Sequence, residues 1–378
     1  MQKRTVTGLA LAACFSLNCF AGPAADACVK DLESLPAFLL ENDAGARDHL
    51  AQFGQKYLDA ALADAKTEAS QIRGNASCAP VITKYLRAWR RGHLSVEDIP
   101  ATPPAAAPAQ AADDAATQQL KNGPTIEVLS PKTLLLTLRS FAVYHREALS
   151  ALIQARRADL ERHPNWIIDV RGNGGGGDSS YAPLKPWLMP DEVASAGTEL
   201  LATLANIEAW AHVCAVFAPG NAECEKFAAD TVARMRHAAP GTFVPQGDGG
   251  AMAYERVERP EPHRPARVAI LIDGGCGSSC EQFALDARQS FSVKLLGRHT
   301  SGSLDYSNLV PHDLPLGRRR LWYATTRSNR IPGLMVDVAG VPPDIYLPAE
   351  AGSDAKQEEV RRVQDWLEGG SLAPRRVR

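Results

Sequence analysis

The segment from Val268 to Ala284 constrains this chain most. An apolar run, Val268-Ala-Ile-Leu-Ile-Asp273, is followed directly by Gly-Gly-Cys-Gly-Ser278-Ser-Cys-Glu-Gln-Phe-Ala284. A short apolar run that stops at glycines reads as a buried strand. The glycines permit a sharp turn, and serines ahead of the next apolar stretch mark a helix start. Strand, tight turn and helix in that order are one step of an α/β fold. A serine at the turn has two readings. It can cap the helix, or it can use the positive potential of the helix N-terminus to favour developing negative charge. The spacing is not G-x-S-x-G, so the strand-to-helix elbow of α/β-hydrolases is not indicated.

A second glycine turn comes after another apolar run. Trp166 to Val170 leads into Arg171-Gly-Asn-Gly-Gly-Gly-Gly177. Gly172, Gly174 and Gly177 match the dinucleotide fingerprint G-x-G-x-x-G, but that motif must open a helix at once. Pro183, Pro186 and Pro190 interrupt the segment where that helix would run. Two readings remain: a plain tight turn, or backbone N–H donors arranged for an oxyanion. Around these turns, Thr133–Leu138 and Val293–Leu296 read as strands and Arg146–Leu160 as a helix with Leu149, Leu152, Ile153 and Leu160 on one face. Alternating strands and helices predict an α/β domain with a largely parallel sheet.

The N-terminal part has a different pattern. Lys3 and Arg4, an apolar stretch from Val6 to Phe20, and small residues near Ala25 form a secretory signal peptide over residues 1–25. Leu11-Ala-Ala-Cys14 also resembles a lipoprotein box, but the sequence after it stays apolar, so plain export to the periplasm or exterior is the preferred reading. Residues 26–99 read as helical. Leu50, Phe53, Tyr57 and Leu58, and then Val81, Ile82, Tyr85, Leu86 and Trp89, fall at helical spacing and predict packing faces. Residues 100–124 are an Ala/Pro-rich linker, residues 125–352 form the α/β domain, and residues 353–378 a helix with a basic tail. Cys28, Cys78, Cys214, Cys224, Cys276 and Cys280 remain after the signal, an even number suited to disulfides in an exported chain. Cys28 with Cys78, and Cys214 with Cys224, are candidate pairs. Cys276 and Cys280, one helical turn apart, are a candidate clamp on the serine turn. No second Cys pair or His-x-x-x-His supports zinc, so no metal or organic cofactor is expected. A net charge of −2 gives no sign of a nucleic-acid partner, and no later segment is apolar enough to span a membrane.

Five segments, in order, resemble peptidase family S41, the tail-specific or C-terminal processing proteases. They are Trp89-Arg-Arg-Gly-His93-Leu, Ile167-Ile-Asp-Val-Arg-Gly-Asn-Gly-Gly-Gly, Gly275-Cys-Gly-Ser278-Ser-Cys-Glu281, Leu295-Leu-Gly-Arg-His-Thr-Ser-Gly-Ser303 and Gly340-Val-Pro-Pro-Asp344. The resemblance implies a crotonase-like α/β core with an N-terminal helical cap. The gap between cap and core is too short for the PDZ domain many relatives carry. The resemblance also implies that Ser278 is a nucleophile, which needs a base. The family's usual lysine position holds Ser303, and Lys294 on a strand is a poor substitute. Branches similar to tricorn and to the chlamydial protease-like activity factor use histidine with an acidic orienter instead. His93 then serves as base and Asp337 as orienter, with a buried cap histidine and a turn aspartate as the structural readings. His145 and His299 are the backups.

The expected oxyanion donors are the N–H groups of Gly175 and Ser279, with Gly174, Ser303 and Asp305 beside the substrate, and Asn173 and Arg171 holding the turn. The expected reaction is peptide-bond hydrolysis through an acyl-enzyme, with a peptide or protein as substrate. The alternatives are an inactive binding protein of the same fold, for peptide or lipid, and an esterase or amidase using the same serine.

Overall fold

The computed structural model describes residues 23–74, 76–100, 123–247, 249–258, 264–349 and 352–372. Most of the expected signal peptide (1–22), most of the Ala/Pro-rich linker (101–122) and the basic tail (373–378) lie outside the described residues. The chain opens with α1 (Pro23–Asn42), α2 (Ala46–Phe53), α3 (Gln55–Ala69), α4 (Ala79–Trp89) and strand β1 (Ser95–Asp98). Next come β2 (Thr125–Val128), β3 (Thr133–Thr137), α5 (His145–Ala155), α6 (Arg157–Arg162), β4 (Asn165–Asp169), a 3-10 turn at Asp178–Leu184 and α7 (Lys185–Leu188). β5 (Glu192–Ala196), β6 (Thr198–Ala202), α8 (Leu204–Phe217), α9 (Ala222–Arg236), β7 (Thr242–Gln246) and β8 (Met252–Arg256) form the middle. The last part is β9 (Arg267–Ile272), α10 (Ser279–Ala287), β10 (Val293–Gly297), β11 (Tyr306–Asp313), β12 (Arg319–Ser328), β13 (Ile345–Tyr346) and α11 (Ala355–Leu367).

The central sheet has the order β13-β10-β9-β4-β3-β2 and is parallel except for the β2–β3 pair. Every residue of β4 is buried, because helices cover both faces, as parallel sheets require. The two-residue period of a strand sorts its side chains. Trp166 and Ile168 enter one core with Leu149 and Phe283, while Ile167 enters another with Val360 and Val363 of α11. The strand–turn–helix at Val268–Ala284 is thus β9, its glycine turn and α10, at the centre of the sheet.

A second, antiparallel sheet was not evident in the sequence. Its order is β1-β12-β6-β7, with β11 also paired to β12. The N-terminal helices pack on it: Leu32, Leu35, Tyr85 and Trp89 share one core with Trp210, Leu321 and Tyr323. The helical region also contributes β1 to this sheet. Two other expectations change. Phe53 and Tyr57 are about half exposed, because Gly54, at φ +83°, breaks the stripe into α2 and α3 and rotates those residues outward. The helix expected over Arg146–Leu160 is interrupted at Arg156.

All three cysteine pairs are bridged: Cys28–Cys78 ties α1 to the start of α4, Cys214–Cys224 ties α8 to α9, and Cys276–Cys280 spans the serine turn. No described helix is long and apolar enough to cross a membrane.

Buried charge docks α11 onto the central sheet. The Arg171 guanidinium donates to both oxygens of Asp169 at 2.8 Å and to Glu359 at 2.6 Å, and all three side chains are at most 3% exposed. Removing one partner leaves an uncompensated buried charge, which costs about 3–5 kcal/mol. Glu359→Ala is therefore expected to lower unfolding stability in urea by that amount. An unchanged midpoint would show that α11 docks through its apolar face alone.

Candidate active site

Ser278 stands at the start of α10 with φ +56° and ψ −124°. An ordinary N-cap has extended backbone. A side-chain-bearing residue in Ser278's conformation costs on the order of 1–3 kcal/mol and persists only where its surroundings over-determine it. Here they do. The Ser278 N–H donates to Glu281 Oε2 at 3.1 Å, the Gly277 N–H to the Asn173 carbonyl at 3.1 Å, and the Ser301 N–H to the Cys276 carbonyl at 2.8 Å.

The two glycine turns are built as one unit. Asp273 Oδ1 accepts from the N–H groups of Gly172 (2.8 Å) and Gly275 (2.9 Å). Asn173 is fully buried; its Nδ2 donates to the Leu138 carbonyl and its backbone carbonyl holds Gly277. Asn173 thus holds the turn, as expected, while the Arg171 side chain pairs with Asp169 and Glu359. Gly175, at φ +99°, lies directly over the serine: a Cβ there would come within 2.7 Å of Ser278 Cβ and 3.0 Å of Ser279 N. Only glycine fits that approach. Ser279 is the first residue of α10, so its N–H has no partner within the helix. The Gly175 N–H, by contrast, donates to Asn173 Oδ1 at 2.9 Å. It is not the open donor expected from the sequence and serves an oxyanion only after giving up or sharing that bond. Gly174 is exposed beside it.

Glu281 joins this unit to the loop carrying Ser303. Its carboxylate is fully buried. Oε1 accepts from Thr300 Oγ1 (2.5 Å) and the Gly302 N–H (2.8 Å), and Oε2 from the Ser303 N–H (2.9 Å) as well as Ser278. Ser303 Oγ bonds Ser301 Oγ at 2.7 Å, and a Cβ on Gly277 would come within 2.9 Å of both hydroxyls. On its other side Ser303 touches Gly92, where a Cβ would lie 3.3 Å from Ser303 Cβ and 3.6 Å from Asp337 Oδ2. Ser303 therefore separates the Ser278 turn from the loop that carries His93.

His93 is held by backbone. Its Nδ1 lies 2.7 Å from the Tyr306 carbonyl, so that nitrogen carries the proton and Nε2 is left as the acceptor. Arg90, paired in the interior with Asp43, donates to the His93 carbonyl at 2.7 Å. Burial pulls the imidazole down from 6.5 to about 4, against the Tyr306 bond and with help from Arg90. Among the described residues no hydrogen bond joins His93 to Ser278 or to Asp337.

Asp337 corrects the expected orienter geometry: its Oδ1 accepts from the N–H groups of Leu304 and Asp305, at 2.5 and 2.6 Å, and not from the imidazole. Asp305 returns the arrangement, with Oδ2 accepting from Val336 and Asp337 N–H at 2.6 and 2.8 Å. Being fully buried, Asp305 cannot reach a substrate; the two aspartates lace two loops together. Burial raises the Asp337 carboxyl from 3.8 to about 6, opposed by its backbone donors.

Asp178, Tyr306 and the part played by Glu281 were not foreseen from the sequence. Asp178 comes just after the glycine strip, and desolvation raises its carboxyl above the ordinary range. The carbonyl that holds His93 has no sequence signature, since every residue carries one. The backups lie apart: His145 heads α5, buried with Nε2 unpartnered, His299 is exposed and bonded to the Ala339 carbonyl, and Lys294 is exposed on β10.

The two shifted groups pull stability in opposite directions. Between pH 6.5 and about 4 the unfolded chain binds a proton that folded His93 refuses, so His93 makes stability fall as pH drops. Between 3.8 and about 6 folded Asp337 holds its proton more tightly than the unfolded chain, so Asp337 makes stability fall as pH rises. Asp337→Asn is expected to remove the second slope, steepening the loss on acidification from pH 6 to 4 in urea titrations. An unchanged slope would contradict this assignment.

Comparison with known proteins bears on this geometry. The family model described as "Peptidase family S41" matches residues 132–347. No curated protein matches the chain. Among solved structures, mature CPAF aligns with TM-score 0.58 at 12% identity, covering 93% of this chain and 100% of that one. Mature CPAF complexed with lactacystin aligns with TM-score 0.59 at 13% identity, covering 92% and 98%. A candidate peptidase from Parabacteroides merdae aligns with TM-score 0.55 at 15% identity, covering 90% and 96%. At these identities the structures speak for the fold, which is the expected S41 core with a helical N-terminal region. With the family model spanning more than half of its length, this chain belongs to peptidase family S41.

Proposed function

We propose that the chain is an exported serine-type peptidase that hydrolyses peptide bonds through an acyl-enzyme on Ser278, with His93 as general base. The observation that carries this reading is the backbone of Ser278. A positive φ on a non-glycine residue, fixed beneath the Gly175 strip at a helix N-terminus, is backbone strain that a mere helix cap would not require. Three disulfides support export.

In this mechanism Ser278 Oγ attacks the scissile carbonyl carbon as its proton passes to His93 Nε2. The bond from Nδ1 to the Tyr306 carbonyl supplies the correct tautomer and ring orientation. The gap between His93 and Ser278 closes as substrate binds, since catalytic hydrogen bonds tighten in the reacting complex. The oxyanion takes the Ser279 N–H at the positive end of α10, and the Gly175 N–H once Asn173 yields it. His93 then protonates the leaving amine, and water, deprotonated by His93, releases the acyl group. Asp337 lies beside the His93 loop and, when ionised, favours the imidazolium by charge rather than by a hydrogen bond. Gly174 and Ser303 flank the position the peptide would take.

Peptide-hydrolysis kinetics test this reading. Ser278→Ala is expected to lower kcat on the order of 10^6-fold, and His93→Ala by about 10^2–10^4-fold, with both variants folded. Wild-type kcat/KM is expected to rise with pH through about 6 as Asp337 ionises, because His93 is already neutral above about 4. In Asp337→Asn that rise should vanish. Full activity in His93→Ala would remove the proposed base, and ester turnover without peptide turnover would reassign the substrate class.

A further inference from the structure

We propose that the Cys276–Cys280 disulfide positions the nucleophile, so that Ser278 is assembled for attack only after this pair has been oxidised; the inference rests on Ser278 being the nucleophile. The bridge joins the residues two before and two after Ser278, with Cα atoms 5.3 Å apart. It therefore encloses the one residue of the turn whose backbone is strained.

The surroundings hold both ends of this bridge. Cys276 and Cys280 are both fully buried, in the same core as Ile272, Phe283 and Ala284. Cys280 is anchored by its own N–H to the Gly277 carbonyl, and its sulfur lies 3.7 Å from the Val170 carbonyl, at the end of β4. Cys276 is anchored by its N–H to Asp273 and by its carbonyl to Ser301. Each half of the bridge thus belongs to a fixed element, and the segment between them, Gly277-Ser278-Ser279, is held at both ends. The sequence separations of the three bridges are 50, 10 and 4. A cross-link across so few residues removes the least loop entropy from the unfolded chain, so this one adds least to global stability. Its effect is local.

Without the bridge the turn keeps the Glu281 bond to Ser278 N–H, the Asn173 bond to Gly277 N–H and the Cys280 N–H bond to the Gly277 carbonyl. Of these only the Cys280–Gly277 bond spans Ser278, and one backbone hydrogen bond holds the turn less firmly than a covalent link. Gly277 leaves the backbone free to rotate just before the serine, and Ser278 relaxes toward an ordinary N-cap conformation. Its hydroxyl then no longer projects along the direction of attack. Bridge formation is a two-electron oxidation. The two thiols release two protons and two electrons to an incoming disulfide, such as oxidised glutathione. The new S–S bond forms as the incoming S–S bond breaks, and the acceptor leaves as two thiols. In a reducing compartment the chain folds with a slack nucleophile.

The test uses the full chain equilibrated in glutathione redox buffers. It is treated briefly with a fluorophosphonate probe, then denatured, and its free thiols are alkylated. Cleavage after arginine releases residues 268–288, a peptide that carries Ser278 and both cysteines. Mass spectrometry therefore reads the adduct and the redox state on the same molecule. Adducts are expected about 100-fold more often on bridged peptides than on alkylated ones. Equal adduct fractions on the two forms would overturn the proposal. Absence of adducts on both forms would overturn the nucleophile assignment and this inference with it. In parallel, Cys276→Ala/Cys280→Ala should lower kcat with KM little changed and retain cooperative unfolding, whereas Cys214→Ala/Cys224→Ala should keep wild-type kcat. Wild-type kcat in the first double variant would also overturn the proposal.

Discussion

The carboxylate of Glu281 is the interaction on which the rest of the site depends. It is fully buried and takes four donors: the N–H groups of Ser278, Gly302 and Ser303, and the Thr300 hydroxyl. A buried carboxylate is costly unless every lone pair is used. Using them forces the Ser278 turn and the 300–303 loop into one rigid body. Thr300 and the 302–303 backbone come from the chain just after β10, the neighbour of β9 in the sheet. The parallel order of β9 and β10 therefore brings the two turns to the same edge, and Glu281 locks them there. The apposition of Ser303 to Gly277 and of Gly92 to Ser303 results from that lock.

The helical N-terminal region supplies part of the site as well as covering it. β1 joins the second sheet, and just before it the Asp43–Arg90 pair, with side chains 1% exposed, fixes the carbonyl of His93. Asp43 also accepts from the backbone of Ala324 on β12. The His93 loop, the α1–α2 turn and the second sheet are thus joined through one ion pair. Tyr306 completes the link, since its carbonyl holds the imidazole while its hydroxyl donates to Asp48 on α2.

Physical differences between the elements decide which of them could be read in the residues alone. β4, β9 and their glycine turns were legible because buried parallel strands are short apolar runs, and sharp turns demand glycine. The second sheet was not, because β1, β6, β7, β11 and β12 pair antiparallel from distant parts of the chain, and half-buried strands with polar neighbours lack a continuous apolar signal. Ser278 and His93 stood out by residue type and segment order. The exchange of backbone bonds between Asp305 and Asp337, and the capture of the Gly175 N–H by Asn173, depend on loop geometry that residue types do not encode. Hence Asp305 looked like a substrate contact from its loop and is instead an interior brace.

The identity of the hydroxyl that is acylated or phosphonylated decides whether Ser278 is the nucleophile. Mapping the site of a fluorophosphonate adduct on the oxidised wild-type chain by fragment-ion mass spectrometry is the most direct measurement. The adduct should localise to Ser278, and none should be found on Ser279, Ser301 or Ser303. An adduct on any of those three hydroxyls, in a chain that hydrolyses peptides, would contradict it.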